Sequence, residues 1–208
     1  MSFSDRYRLV VMESSARTRR RFDRDEALKR ALLEFWEHGF DGTSIASLTT
    51  TLEINPPSLY AAFGDKRSLF EEALELYIRT YGDYGARALA QPTAQQAVQM
   101  LLELAAQVYT EPGHPPGCLV ISGAGGHAPS GDHAATRLRS QREATKRALA
   151  EKIKRDIEAG TLPPDTNADS LAAFYAATIQ GMNTQACDGA TADDLHEIAD
   201  LAMRAWPT

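Results

Sequence analysis

The chain has little cysteine and no long apolar run. Its two cysteines, Cys118 and Cys187, stand far apart and form no CxxC pair. They are too few for a disulfide framework and lack the spacing of zinc or dithiol chemistry, so both read as small apolar fillers. No uninterrupted apolar stretch approaches the ~18 residues of a membrane-spanning helix. Near the N-terminus, Leu9-Val10-Val11-Met12 is hemmed in by Asp5, Arg6, Arg8 and Glu13, which is not the apolar core of a secretory signal. A cytoplasmic protein without a membrane partner is expected. Alternating Val/Ile/Thr segments are also missing, which excludes half-buried strands and predicts an all-α fold. With 43% hydrophobic and 24% charged residues, 14 Gly and 10 Pro in 208, the chain is neither low-complexity nor collagen-like, and it is long enough for one large domain or two small ones.

The net charge of −6 taken alone argues against a nucleic-acid partner. Its distribution reverses that reading. Residues 1–67 hold 11 Lys+Arg against 10 Asp+Glu, while residues 68–208 hold 11 against 18, so the acid is concentrated in the second part and the two parts have different work.

Helical periodicity organises most of the chain. Ala27, Leu28, Ala31, Leu32, Phe35 and Trp36 form one stripe over about 24–38, stopped by Gly39. A short helix opens at Thr43 as N-cap and runs to about Leu52, and a third starts at Asn55, where a favoured cap is followed by Pro56 at the first helical position. A longer helix is expected from Lys66 to about Tyr84 and another from Ala94 to Thr110. The Gly-, Pro- and His-rich segment 111–131 reads as loop, short helix and loop. A long helix follows over about 132–159, and its charged middle, Arg142 and Lys146 included, reads as a solvated face. The last two, about 167–187 and 192–206, are so apolar that a second copy of the chain is the expected cover, with Ile179 and Ala199 in the interface. The expected division is an extension and basic arm over 1–23, a helix-turn-helix over 24–67 and a helical ligand-binding and dimerisation domain over 68–208.

Two short helices joined by a three-to-four-residue turn fit the helix-turn-helix, whose second helix enters the DNA major groove. The run TSIASLTTTLEINPPSLYAAFGDKRSLFEEAL, preceded by LLEFWEHGFDG, resembles the DNA-binding domain of the TetR family of bacterial transcriptional regulators. The resemblance covers about Arg24 to Leu74 and rests on the HGF-x-G-T-S opening, the SLY-x-x-F-x-D-K signature and the order of helix lengths. Farther on, the GCLV segment and QGM followed by a terminal helix look like the ligand-binding domain of that family.

The resemblance implies a homodimeric repressor-type protein whose small-molecule effector changes the spacing of two DNA-reading heads on a near-palindromic double-stranded operator. Carried over by position, Thr43 and Ser44 open the helix that abuts phosphate, residues 55–62 form the recognition helix with Asn55, Pro56, Pro57, Ser58 and Ala61 toward the bases, Tyr60 meets backbone phosphate, and Lys66 opens the next helix near phosphate. Glu53 stands where the family usually has a turn Gly, and Thr49 where it usually has Ala. A non-Gly residue in a left-handed turn costs roughly 1 kcal/mol. The recognition helix has no Arg, Lys or Gln, so the commonest bidentate base contacts are absent. Readout then falls to thymine-methyl contact, Ser58, Asn55, DNA shape, and the basic arm with Arg19, Arg20 and Arg21, which can reach phosphate or a narrow minor groove.

Stripe geometry and the resemblance place an apolar ligand pocket at Tyr77, Tyr81, Leu104, Cys118, Leu119, Tyr175 and Met182. His114, His127 and His133 with Cys118 could in principle hold a soft metal, but their spacing is not compact, and neither a metal nor another cofactor is expected. Two other readings remain: an architectural DNA-binding protein without a ligand, and a small helical enzyme using the Cys118/His127 region. No nucleophile–base–orienter set supports the second, so no catalysis is expected.

Overall fold

A computed structural model describes residues 22–123 and 133–207. Ten helices and no strands occur among them: α1 Arg24–Gly42, α2 Ile45–Leu52, α3 Pro56–Phe63, α4 Lys66–Thr80, α5 Tyr84–Leu89, α6 Ala94–Thr110, α7 Leu119–Ser122, α8 His133–Glu158, α9 Ala168–Cys187 and α10 Ala192–Met203. The polar residues that begin them explain most of the boundaries. Asp23, Asn55, Asp65 and Asn167 each accept a hydrogen bond from a backbone N–H of the following first turn. Ser44 with Ser47, Thr93 with Gln96 and Thr191 with Asp194 make reciprocal capping boxes, each satisfying N–H groups that the helix itself leaves free.

The head is the bundle α1–α3 with the first half of α4. Its core is Ala31, Leu32, Phe35, Leu48, Leu59, Leu69 and Phe70, all at most 2% exposed, with Phe35 edge-on to Phe70 at 5.2 Å. The body is built around α6, whose Leu102, Ala105, Ala106 and Tyr109 are fully buried beneath α5, α8, α9 and α10. The expected boundary at 67/68 falls in the first turn of α4, so one continuous helix belongs to both parts.

Several expectations change in detail. α1 continues to Gly42, but Gly39 within it has φ 71° and ψ 174°, so the stripe does end at the stop expected from the sequence. Thr43 is not the cap of α2. Ser44 is, because Thr43 turns its hydroxyl inward to the Gly39 carbonyl at 2.7 Å. The helix expected to run from Lys66 to Tyr84 ends at Thr80: the N–H groups of Tyr81 and Gly82 both donate to the Tyr77 carbonyl, and α5 starts afresh at Tyr84. Gly82 permits this close turn, since a Cβ there would lie 3.0 Å from Ile78 Cα. The final helix stops at Met203, and Trp206 folds back to within 5.7 Å of the Tyr175 ring.

Two positive-φ positions in the head carry opposite consequences. Gly39 occupies a region that is essentially glycine-only, and an added Cβ would sit 3.1 Å from the Gly123 carbonyl oxygen. Gly39→Ala is expected to lower stability by about 1–3 kcal/mol in urea unfolding. Glu53, at φ 57°, gives up only an exposed 3.5 Å pair with Arg30 when replaced, so Glu53→Gly is expected to raise stability by up to about 1 kcal/mol. Shifts of the same sign for both variants would contradict this account of the turns.

Candidate functional site

The turn between α2 and α3 closes despite its glutamate. Glu53 adopts φ 57°, ψ 38°, and the cost is offset by backbone bonds from Glu53 N–H to Thr50 O and from Ile54 N–H to Thr49 O, the paired pattern of a left-handed helix stop. Arg30 braces the turn by reaching Thr51 O and the Glu53 carboxylate, both at 3.5 Å. Asn55 then caps α3 through Oδ1, which accepts from the Ser58 N–H at 2.9 Å.

Burial splits α3 cleanly into two faces. Leu59 and Phe63 are inside, at 0% and 3% exposure, on a helix that packs against α2 and α4. Asn55, Pro56, Pro57, Ser58, Tyr60 and Ala61 are all exposed, with Tyr60 at 48%. These are the six residues expected on the DNA-facing side. Ser44 is exposed at the start of α2. Lys66 starts α4 with its ammonium 4.2 Å above the Phe40 ring. Thr43, by contrast, is 1% exposed with its hydroxyl engaged by Gly39, so it is removed from the DNA-facing set. Arg19, Arg20 and Arg21 lie outside the described residues.

A residue that periodicity does not single out holds this face in place. Arg24 donates through Nε to the Ala62 carbonyl at 3.1 Å and through Nη2 to both Glu72 oxygens at 2.7 and 2.8 Å, and its guanidinium lies 4.6 Å from the Phe63 ring centroid. It thereby ties the end of α3 to both α1 and α4. The only signal in the sequence is an arginine at the very start of α1, in a segment whose pattern is otherwise an apolar stripe.

The body contains a cavity of about 150 Å³ between the end of α4, the start of α5, α7, α8 and α9. Tyr77 and Cys118 line it as expected, together with Tyr84, Leu101, Val120, Ile121, Leu149 and Ile179. The Tyr77 hydroxyl donates to Cys118 Sγ at 3.1 Å, the Tyr84 hydroxyl reaches the same sulfur at 3.8 Å, and Tyr84 and Tyr109 share a hydrogen bond of 3.1 Å. Burial pushes all three phenols up, so they remain protonated donors at neutral pH. The Cys118 N–H donates to Asn183 Oδ1 at 2.6 Å, and Asn183 Nδ2 donates to Ser122 Oγ. α7 is thus pinned to α9 by a buried amide that no pattern in the sequence singles out.

Five of the expected pocket residues point elsewhere. Tyr81 packs against Trp36 and His114. Tyr175 is fully buried and donates to the Ala202 carbonyl at 3.1 Å. Leu119 and Met182 are sealed in the core, and Leu104 packs part-buried against it. Helical periodicity identifies an inward stripe but not which part of it borders empty space. Of the two residues expected in the interface, Ile179 is part-buried and lines the cavity, and Ala199 is 3% exposed inside its own chain. The exposed apolar residues of the last two helices are Phe174 and Leu201, at 44% and 59%. His114 stacks on Trp36 at 4.4 Å and His133 pairs with Glu71 at 3.2 Å. No group of three or more metal-ligating side chains assembles among the described residues, and His127 lies outside them. No helix of the described residues is long and apolar enough to cross a membrane.

Comparison with known proteins addresses the whole chain. Residues 27–73 match the family described as bacterial regulatory proteins, tetR family, and residues 94–200 match the tetracyclin repressor-like C-terminal domain. The chain is 31% identical to the HTH-type transcriptional repressor ComR of Escherichia coli K12, covering 89% of this chain and 90% of ComR. It is 32% identical to the HTH-type transcriptional repressor BdcR of the same organism, covering 91% of each. Among solved structures, a cysteine-substituted form of the TetR family transcriptional regulator CifR, complexed with a 26-bp double-strand operator DNA, is 40% identical. It superposes with a TM-score of 0.82 over 90% of this chain and 98% of CifR. The matches span both the head and the body, and the chain belongs to the TetR family of bacterial transcriptional regulators.

Proposed function

We propose that the protein is a homodimeric repressor that binds a near-palindromic double-stranded operator and leaves it when a small molecule fills the body cavity. The observation that carries the DNA-binding part is the two-faced α3, which buries Leu59 and Phe63 and presents Ser58, Tyr60 and their neighbours outward. Similarity to a regulator complexed with operator DNA, and to two transcriptional repressors, supports the same reading. The cavity supports a ligand-responsive regulator over a purely architectural DNA-binding protein.

Two contacts supply a route from cavity to head. α4 carries Tyr77 at the cavity and Lys66 at the head. At the far end of α7, the Gly123 carbonyl accepts from the Phe40 N–H at 3.2 Å. A ligand releases DNA only if it binds the DNA-free arrangement more tightly, and DNA then weakens the ligand by the same factor. Two copies joined through the outer faces of α9 and α10, with Phe174 and Leu201 at the contact, would set the heads in successive major grooves about 34–36 Å apart.

Selection of fragments from the source genome on the purified protein supplies the operator, and titration of that fragment tests the roles. Tyr60→Phe and Lys66→Ala are expected to weaken operator and random DNA by similar factors, since phosphate contacts carry no sequence information. Ser58→Ala is expected to change preference at one or two base pairs. A change in sequence preference from Lys66→Ala with nonspecific affinity intact would reverse this assignment. Replacing Arg19, Arg20 and Arg21 together is expected to flatten the slope of log K against log salt by up to about 0.9 for each phosphate that is no longer neutralised, and an unchanged slope would exclude the arm from the DNA.

Sedimentation tests the dimer. Leu201→Glu and Phe174→Glu place a charge on the exposed apolar faces of both copies and are expected to yield folded monomers. Ala199→Glu is expected to damage the fold itself, because that position is internal. Dimers of unchanged affinity in the first two variants would remove these faces from the interface.

A further inference from the structure

The lining of the cavity is lopsided in charge. Arg142 and Lys146 of α8 both face it, and among the described residues no aspartate or glutamate does, in a chain whose net charge is −6. Lys146 has a partner, Glu143, at 2.8 Å. Arg142 is different. It is half-buried, its Nη1 donates to the Val120 carbonyl at 2.6 Å, and among the described residues no carboxylate forms an ion pair with it, whereas the other half-buried arginines, Arg30 and Arg137, each have one. A guanidinium carries five N–H donors in a rigid fork, and one carbonyl occupies one of them. Burial disfavours its charged form and the positive charge of Arg139 nearby adds to that, while Cys118 and the Glu143 carboxylate act in the opposite direction. The remaining N–H groups of the fork are open to solvent and to an incoming acceptor at the cavity wall.

We propose that the cavity binds an organic carboxylate, with the acid on the Arg142 fork and a compact apolar body against Tyr77, Leu101, Val120, Ile121 and Leu149. Planar two-point binding of a carboxylate is what a guanidinium does best, and Lys146 adds a second cation at the same end. The volume sets the size of the body. At about 150 Å³ the cavity is of the size of one known to hold benzene, and it opens to solvent on one side, so a single ring or a chain of about six carbons is the smallest body that fills it. Its acid also acts on the signalling element, because the Val120 carbonyl that Arg142 holds lies in α7, three residues before the Gly123 carbonyl that meets the head. The inference rests on the ligand-responsive reading for its regulatory consequence and on the cavity alone for its chemistry.

The test uses the full-length protein and two matched probe sets: benzoate, benzamide and benzylamine, and hexanoate, hexanamide and hexylamine. Each is titrated by calorimetry and then added to the protein bound to its selected DNA fragment. The acids are expected to bind about tenfold or more tighter than their amides, the worth of a charge-assisted hydrogen bond, with the amines weakest. Arg142→Gln is expected to bring each acid down to the level of its amide while leaving the amide unchanged, which also reports an intact cavity. Arg142→Lys keeps the charge without the fork and is expected to retain part of the preference. Amides or amines that bind as tightly as the acids, a preference that survives Arg142→Gln, or no binding of either acid overturns the proposal. Acids that bind through Arg142 without altering DNA affinity would leave the carboxylate site standing and remove the effector function. Neutral probes that bind best and release DNA would do the reverse.

Discussion

The Phe40 N–H donates to the Gly123 carbonyl, and the geometry of the molecule is arranged around making that one bond between head and body. α1 must break to expose the donor, which it does at Gly39 with φ 71°. α7 must end against α1, and its short course is fixed by the Cys118 N–H on Asn183 and by Arg142 on Val120. Another residue at Gly39 is strained, because φ 71° is unfavourable for a side chain and a Cβ would lie 3.1 Å from the Gly123 carbonyl oxygen. The same break lets Thr43 fold its hydroxyl back to Gly39 and leaves Ser44 free to begin α2. A local backbone conformation that only glycine adopts cheaply thus helps fix the helix-turn-helix relative to the cavity, alongside the continuous helix α4.

α3 has few devices of its own. It is eight residues long, short of the length at which an isolated helix holds in water, and its two N-terminal prolines remove N–H groups that would otherwise need partners. Its stability comes from Leu59 and Phe63 in the core and from the Arg24 clamp at its end. The outer face is left chemically quiet, with small or neutral side chains and one tyrosine. A face of that kind follows the contour and methyl groups of a groove rather than pairing with specific base edges, which shifts weight to DNA shape and to flanking cations.

The head is almost entirely legible in the sequence, because each decision there is local. Asn55-Pro56 marks a helix start, Leu59 and Phe63 share a buried face by spacing, and Ser58 and Tyr60 of the same signature fall on the exposed face opposite. The cap of α2 is off by one residue, Thr43 for Ser44, because Thr and Ser are both good caps and only the tertiary pull of the Gly39 carbonyl separates them. The body is less legible. Its helices are readable, but periodicity puts Tyr175 and Met182 in the cavity when they fill core, and composition puts Arg142 on a solvated face. Which inward residue borders a void depends on how six helices stack, and no periodicity within one helix encodes that. Ala199 illustrates the same limit: an apolar face reads alike whether it is covered by its own chain or by a second copy.

The joint between head and body is built from weak contacts, and that bears on how it can switch. Trp36 of α1 lies edge-on to Tyr77 at 4.8 Å and to Tyr81 at 5.1 Å, and stacks on His114 at 4.4 Å. Aromatic pairs contribute about 0.5–1.5 kcal/mol each beyond burial, and the Phe40–Gly123 bond contributes about as much. Against these stand Trp36 Nε1 and His114 Nε2, both buried without a hydrogen-bond partner among the described residues. The joint thus combines buried aromatic contacts with two polar atoms that no described residue satisfies. Coupling between two sites in a protein typically amounts to about 1–3 kcal/mol. In the ligand-responsive regulator proposed above, a much stronger joint would lock the head against a signal from the cavity, and a weaker one would not transmit it. Tyr77 stands at the point where the two scales meet, with its ring on Trp36 and its hydroxyl on the Cys118 sulfur at the cavity wall, so a small displacement there is felt on both sides.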